Sequence, residues 1–326
     1  MPEVRVDPLS GRRTIMATGR AGRPGADLQV PPADPIDPAH DPFAPGNEAS
    51  TPPELFAVRP DGGPADGPGW RVRVVPNRYP ALHPASPAPA TQDSPDLFTA
   101  VAAAGAHEVI VNAPDCVGAL AELDADQVGL ALEVWRARML HHHRAACVHV
   151  IVNERREAGA SLAHTHAQLF ALDFVPAQIA RERERAAAYA TRTMGQSLLA
   201  DLLQEEVRRR DRIVAIDDEA VLIAPYASEL PYQLMLIPRR PRARFEAEGP
   251  SGANLLHDGL RRLTRRLGAS PPLNIWVRTA PRGSDHFCWR IDIVPRLSQV
   301  AGLELGAGVG LNTLAPEQAA AELREA

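Results

Sequence analysis

The feature that most constrains this chain is a repeated plan. CVHVIVNE (147–154), a loop of small residues and HTHAQLFAL (164–172) follow a stretch of helical periodicity, DADQVGLALEVWRARMLHHHRAA (124–146). LNIWVRTAP (273–281), a short loop and CWRIDIVPR (288–296) follow another, at 251–267. Both read as helix, strand, loop, strand, which implies internal duplication of one unit. The order of elements predicts an α+β fold, a largely antiparallel sheet with helices packed on one face. The expected division is 1–175 and 176–326.

Around the repeat, WRVRVVPNRYPAL (70–82) alternates as a strand that stops at Pro76, and HEVIVN (107–112) reads as another. A long charged helix is expected over about 177–210, and AVLIAPYA and YQLMLIP read as strands. Residues 20–70 are rich in Pro, Gly, Ala and Asp and predict an irregular wrap, with 58–69 as an exposed loop.

Composition closes several routes. The chain has 326 residues, 45% of them hydrophobic, enough for one large or two smaller domains. Its net charge is -5, so no positive excess invites nucleic acid. All 35 basic residues are Arg, so any clamp on phosphate must use guanidinium groups. Cys116, Cys147 and Cys288 form no CxxC pair and no even framework, which fits a reducing compartment. The opening MPEVRVDPLSGRR lacks the apolar stretch of a signal peptide, and no apolar run is long enough for a bilayer. The expectation is a soluble cytoplasmic protein with no membrane partner.

The chemistry concentrates in His164-Thr165-His166-Ala167-Gln168. Alternation along a strand puts His164, His166 and Gln168 on one face. Two imidazoles and an amide make poor core and a good polar site. The preceding Gly159-Ala160-Ser161 is small enough to let a phosphate approach backbone N–H groups. Solvated surface histidines and a purely structural metal site are the competing readings.

These residues carry a resemblance. Asn153, Gly159-Ala160-Ser161, His164, His166 and Gln168 resemble the N-x(n)-GAS-x-x-H-P-H-x-Q pattern of the galactose-1-phosphate uridylyltransferases of the histidine-triad superfamily, with Thr165 where Pro is usual. Arg20-Ala-Gly-Arg23-Pro24 resembles that family's R-x-x-R-P, Asp41-Pro-Phe-Ala-Pro-Gly-Asn-Glu48 its C-P-F-C-P-G-N-E, and Val75-Pro-Asn77-Arg-Tyr-Pro80 its V-P-N-[RK]-[FY]-P. Ala301-Gly-Leu-Glu304-Leu305 resembles its sugar-binding segment. The resemblance implies a duplicated histidine-triad-like fold and a nucleotidyltransferase. It makes His166 the nucleophile, with Gln168 and Ser161 assisting the transferring phosphoryl group. Arg20, Arg23, Asn77, Asn153, Gly159 and Ala160 would hold nucleotide or phosphate, and Glu304 the hexose.

The default substrates so implied are UDP-glucose and a hexose 1-phosphate, galactose 1-phosphate, and the expected assembly is a homodimer. Zinc, if bound, falls to Asp41, His107 and His164, because Asp41 and Ala44 stand where the family has two Cys, and His40 is a conceivable fourth ligand. The family's second metal site is expected to be absent, since Arg278, Cys288 and Arg290 stand there and guanidinium groups cannot coordinate a cation. Arg290 is expected to pair with Glu182 or Asp292 instead. The rival functions are an NDP-sugar phosphorylase using ADP-glucose, a non-catalytic nucleotide-sugar binding protein, and a hydrolase.

Overall fold

A computed structural model describes residues 2–20, 28–84, 97–247 and 249–326. In chain order the elements are β1 (Glu3–Val6), β2 (Arg13–Met16), β3 (Phe56–Val58), β4 (Val72–Pro76), β5 (Gly105–Val111), α1 (Ala125–His141), β6 (Cys147–Glu154) and β7 (His166–Leu172). There follow α2 (Ala177–Arg192), α3 (Leu198–Arg209), β8 (Ile213–Ile216), β9 (Ala220–Ile223), β10 (Leu234–Pro238), α4 (Ala253–Leu267), β11 (Leu273–Arg278), β12 (Arg290–Pro295), α5 (Gly302–Ala307), β13 (Val309–Asn312) and α6 (Pro316–Glu325).

Ten strands form one sheet in the order β3-β4-β5-β7-β6-β11-β12-β10-β9-β8, with antiparallel neighbours throughout. From the centre outward, β6-β7-β5-β4-β3 is matched by β11-β12-β10-β9-β8, with α1 and α4 at the same point of each run. The duplication read from the sequence is therefore a pseudo-twofold relation about the β6–β11 seam. At that seam Asn153 pairs with Asn274, whose amide nitrogen donates to Asn153 Oδ1 at 2.8 Å.

Alternation sorts the sheet into two faces. Val148, Val150, Val152, Ala167, Leu169, Ala171, Leu273, Ile275, Val277, Ile291 and Ile293 turn to α1, α4 and α6 and meet Leu132, Trp135, Leu256, Leu260 and Leu263 in the main core. Each such fully buried aliphatic side chain contributes roughly 1.5–3 kcal/mol. The opposite face carries the polar residues of β7, β6, β11 and β12.

Several expectations need correction. Helices cover both faces, because Leu199 and Leu203 of α3 pack on Val221, Ile223, Met235 and Ile237 from the side opposite α4. The helix expected over 177–210 is two helices. Met194 (φ 58°) and Gly195 (φ 105°) turn the chain into the left-handed region, and Ser197 then caps α3 by accepting from Ala200 N–H. The region read as an irregular wrap contains β3, an edge strand on β4. A second sheet, β1-β2-β13, joins an N-terminal hairpin to β13, which runs parallel to β2. His142 bonds Glu108 at 2.7 Å, and Arg212 is buried against Glu206. Among the described residues no helix is long and apolar enough to cross a membrane.

Candidate active site

β7 begins at His166, two residues later than its apolar pattern suggests, so His164 lies just before the strand rather than in it. His166 is paired with Val111 on one side, and the register that joins Val152 to Ala167 brings Asn153 alongside on the other. The ring is buried and meets the edge of Phe43 at 5.3 Å between centroids. Its Nδ1 lies 2.7 Å from the His164 carbonyl oxygen. A carbonyl only accepts, so Nδ1 carries the proton and Nε2 bears the lone pair. Among the described residues Nε2 has no hydrogen-bond partner. Burial holds the His166 pKa below its ordinary 6.5, which keeps the ring neutral at neutral pH.

His164 is fixed from both ends. Its Nδ1 is 2.6 Å from Asp41 Oδ2, and its Nε2 is 2.8 Å from the Ala113 carbonyl oxygen. Asp41 also accepts from Phe43 N–H at 3.0 Å, so one carboxylate orders both the 41–47 turn and His164, two residues before β7. Cys116 completes a group of three with Asp41 and His164, their donor atoms all within 4.8 Å of one another. Carboxylate, thiol and imidazole form a donor set that zinc accepts. Burial, with the Asp41 charge beside it, pushes the Cys116 thiol pKa up, so metal binding there would have to displace the proton.

The ligand set expected from the sequence is corrected here. His107 stands on β5 away from this group, and Cys116 takes its place. His40 is exposed and bonds Asp37. Register provides the signal that was missed. Thr165 N–H donates to Val117 O at 2.8 Å, extending the antiparallel β5–β7 pairing and bringing Cys116 level with His164. Thr165 also gives its carbonyl to Asn112 N–H and its hydroxyl to the Asn112 amide nitrogen at 3.2 Å. Proline at this position would have neither N–H nor hydroxyl.

Gln168 and His107 share the His166 face. Gln168 Oε1 is 3.0 Å from His107 Nε2, and Ala81 N–H donates to His107 Nδ1 at 3.1 Å. The Asn77 amide nitrogen is 3.1 Å from the same Nε2. Gln168 and Asn77 are thus gathered around His107, with Asn153 across β7.

Gly159-Ala160-Ser161 lies as a loop, with Gly159 in the left-handed conformation at φ 91° that only glycine adopts without strain. Ala160 and Ser161 line a cavity of about 940 Å³ with Pro31–Ile36, Cys116–Ala119 and Arg155–Glu157. Ser161 is exposed there. Arg20 is exposed on a 3₁₀ turn, and Arg23 lies outside the described residues.

Glu304 is on α5, its carboxylate accepting from Ala301 N–H at 3.0 Å, and it lines a second cavity of about 450 Å³ with Trp276, Arg278, Asp292 and Arg296. That cavity occupies the face of the second half that corresponds to the His166 face. Arg290 pairs there with both expected acids, Glu182 at 3.0 Å and Asp292 at 3.1 Å.

Comparison with known proteins matches this geometry to a family. The model for the galactose-1-phosphate uridyl transferase N-terminal domain matches residues 1–176, and that for a domain of unknown function matches 99–325. An ADP-glucose phosphorylase of Arabidopsis thaliana is 29% identical over 337 residues, covering 99% of this chain and 93% of its own. A galactose-1-phosphate uridylyltransferase of Haemophilus influenzae is 26% identical, covering 99% and 94%. The crystal structure of the Arabidopsis thaliana ADP-glucose phosphorylase with bound ADP-glucose superposes with a TM-score of 0.81 at 26% identity, covering 100% of this chain and 99% of that one. With the N-terminal family model spanning more than half of its length and the duplicated sheet behind His166, this chain belongs to the galactose-1-phosphate uridylyltransferase family of nucleotidyltransferases.

Proposed function

We propose that this protein transfers a nucleoside monophosphate from a sugar nucleotide to a second phosphate through a covalent intermediate on His166. The observation that carries this is the tautomer of His166. With Nδ1–H held by the His164 carbonyl, Nε2 is an unprotonated nucleophile in a buried site. Nε2 attacks the α-phosphorus, the N–P bond forms, and the bond to the bridging oxygen breaks to release the sugar 1-phosphate. The positive charge growing on the ring strengthens the Nδ1–H bond to the carbonyl. An acceptor phosphate oxygen then attacks the same phosphorus from the opposite side and releases neutral His166. Gln168, Ser161, Asn77 and Asn153 supply polar groups for the nucleotide, Arg20 and Arg23 for its phosphates, and Glu304 for the hexose.

ADP-glucose is the first donor to test, because an ADP-glucose phosphorylase stands among the relatives and in the TM-score match of 0.81. A uridylyl exchange between UDP-glucose and galactose 1-phosphate is the second reading, favoured by the family model over residues 1–176. Asp41, Cys116 and His164 would hold zinc, which would anchor the start of β7 without entering the reaction. Zinc analysis of purified wild-type and Cys116→Ala protein tests that. A homodimer belongs to the same reading, supported by Leu303 and Leu305, which are exposed on either side of Glu304.

The test is intact-protein mass spectrometry after mixing with ADP-glucose or UDP-glucose, with His166→Ala as control. The expected result is one adenylyl or one uridylyl group on wild type and none on the variant, discharged by inorganic phosphate or by galactose 1-phosphate respectively. Detectable binding with no adduct from either donor refutes the covalent reading.

A further inference from the structure

We propose that His107 is a positioning residue that holds the Gln168 amide in one orientation, with its nitrogen rather than its oxygen left for the phosphoryl group. The inference rests on the covalent reading above and deepens it. Ala81 N–H can only donate, so His107 Nδ1, 3.1 Å away, is an acceptor. A neutral ring then carries its proton on Nε2, which lies 3.0 Å from Gln168 Oε1. Burial lowers the His107 pKa and favours that neutral form.

An amide presents opposite polarity at its two ends. With Oε1 engaged by His107, the two Gln168 N–H donors are left, and among the described residues they have no partner. A flipped amide would set N–H against N–H at His107 and offer an oxygen to an anionic phosphoryl group. The ring itself is held in plane by Phe170, stacked at 4.1 Å with 25° between planes. Asn77 is placed by the same logic. Its oxygen accepts from Tyr79 N–H at 2.8 Å, and the proton on His107 Nε2 prevents that nitrogen from accepting from the Asn77 amide. The Asn77 N–H groups therefore remain uncommitted to His107.

The test measures the rate of nucleotidyl adduct formation, with the sugar nucleotide that labels wild type, in His107→Phe, His107→Gln, Gln168→Ala and the double variant His107→Phe/Gln168→Ala. Phenylalanine keeps the stack on Phe170 and loses the donor, whereas glutamine restores an N–H. His107→Phe is expected to slow adduct formation by about ten- to a hundredfold with sugar-nucleotide affinity nearly unchanged. His107→Gln should recover most of that rate, and the double variant should be no slower than Gln168→Ala. A wild-type rate in His107→Phe overturns the proposal, as does a double variant slower than Gln168→Ala by the full factor of His107→Phe. Nitrogen-15 NMR of the wild-type ring adds a reading that needs no variant. A protonated Nε2 and bare Nδ1 are expected, and the reverse tautomer overturns the inference. No adduct in wild type refutes the covalent reading and the role built on it, whereas adduct in wild type with an unslowed His107→Phe refutes the role alone.

Discussion

The Arg290 guanidinium on β12 lies 3.0 Å from the Glu182 carboxylate on α2, with both side chains buried. The same guanidinium reaches Asp292, and Arg278 approaches Glu182 at 3.5 Å. The pair ties α2 to the polar face of the sheet in the half that lacks His166. Breaking a buried pair by removing one partner leaves the other charge without compensation. Arg290→Met is expected to lower unfolding free energy by about 3–5 kcal/mol, read by urea denaturation. A variant as stable as wild type would show that the cluster contributes nothing net.

The pH dependence of adduct formation should report His166. Burial places its pKa below 6.5, so Nε2, the proposed nucleophile, stays unprotonated as pH falls through that value. The acid limb of the adduct-formation rate is expected to have its midpoint below pH 6.5, measured by rapid quench between pH 5 and pH 8. A midpoint above 6.5 would contradict the buried, neutral ring.

Glu154 gives a separate, purely thermodynamic prediction. It is fully enclosed at the end of β6, and burial raises its pKa from 4.5 to about 8, against the one backbone donor, Leu120 N–H. The folded state therefore binds this proton more tightly than the unfolded state. The stability so conferred is complete below about pH 4.5 and is lost as pH rises through about 8. Glu154→Gln keeps an acceptor for Leu120 and removes the ionisation. Its Tm should draw ahead of wild type as pH rises from 5 to 8, by an amount equivalent to a few kcal/mol. A gap that does not widen over that range would place the carboxyl in water.

Thr165 carries three hydrogen bonds that continue the β5–β7 pairing beyond the strand ends, to Val117, Asn112 N–H and the Asn112 amide. Thr165→Pro removes the donor to Val117 and the acceptor for the Asn112 amide, both buried. The expected cost is about 2 kcal/mol by urea denaturation, and a neutral effect would mean that this end of the strand pair readjusts freely.

The duplicated unit was legible because buried strands alternate on the page as they do in space: Val148, Val150 and Val152, then Leu273, Ile275 and Val277. His166 and Gln168 were legible for the same reason, as polar residues two apart in an apolar strand. The ligand set around His164 was not, because Cys116 reaches it through the register of β5 against β7 and carries no pattern of its own. The resemblance made His107 a metal ligand, and only the structure places its ring nitrogens against Ala81 N–H and Gln168 Oε1. The break at Met194–Gly195 was hidden by continuous charged helix formers on both sides. The β1-β2-β13 sheet joins segments about three hundred residues apart, beyond the reach of local periodicity.

The β6–β11 seam joins two halves that match in topology and are not autonomous. Cut there, β6 would become an open edge with its backbone donors and acceptors unpaired, and Asn153, beside His166, would lose the amide that holds it. The two repeats are thus expected to unfold in one cooperative transition, with the second serving as the permanent edge cover of the one that carries His166.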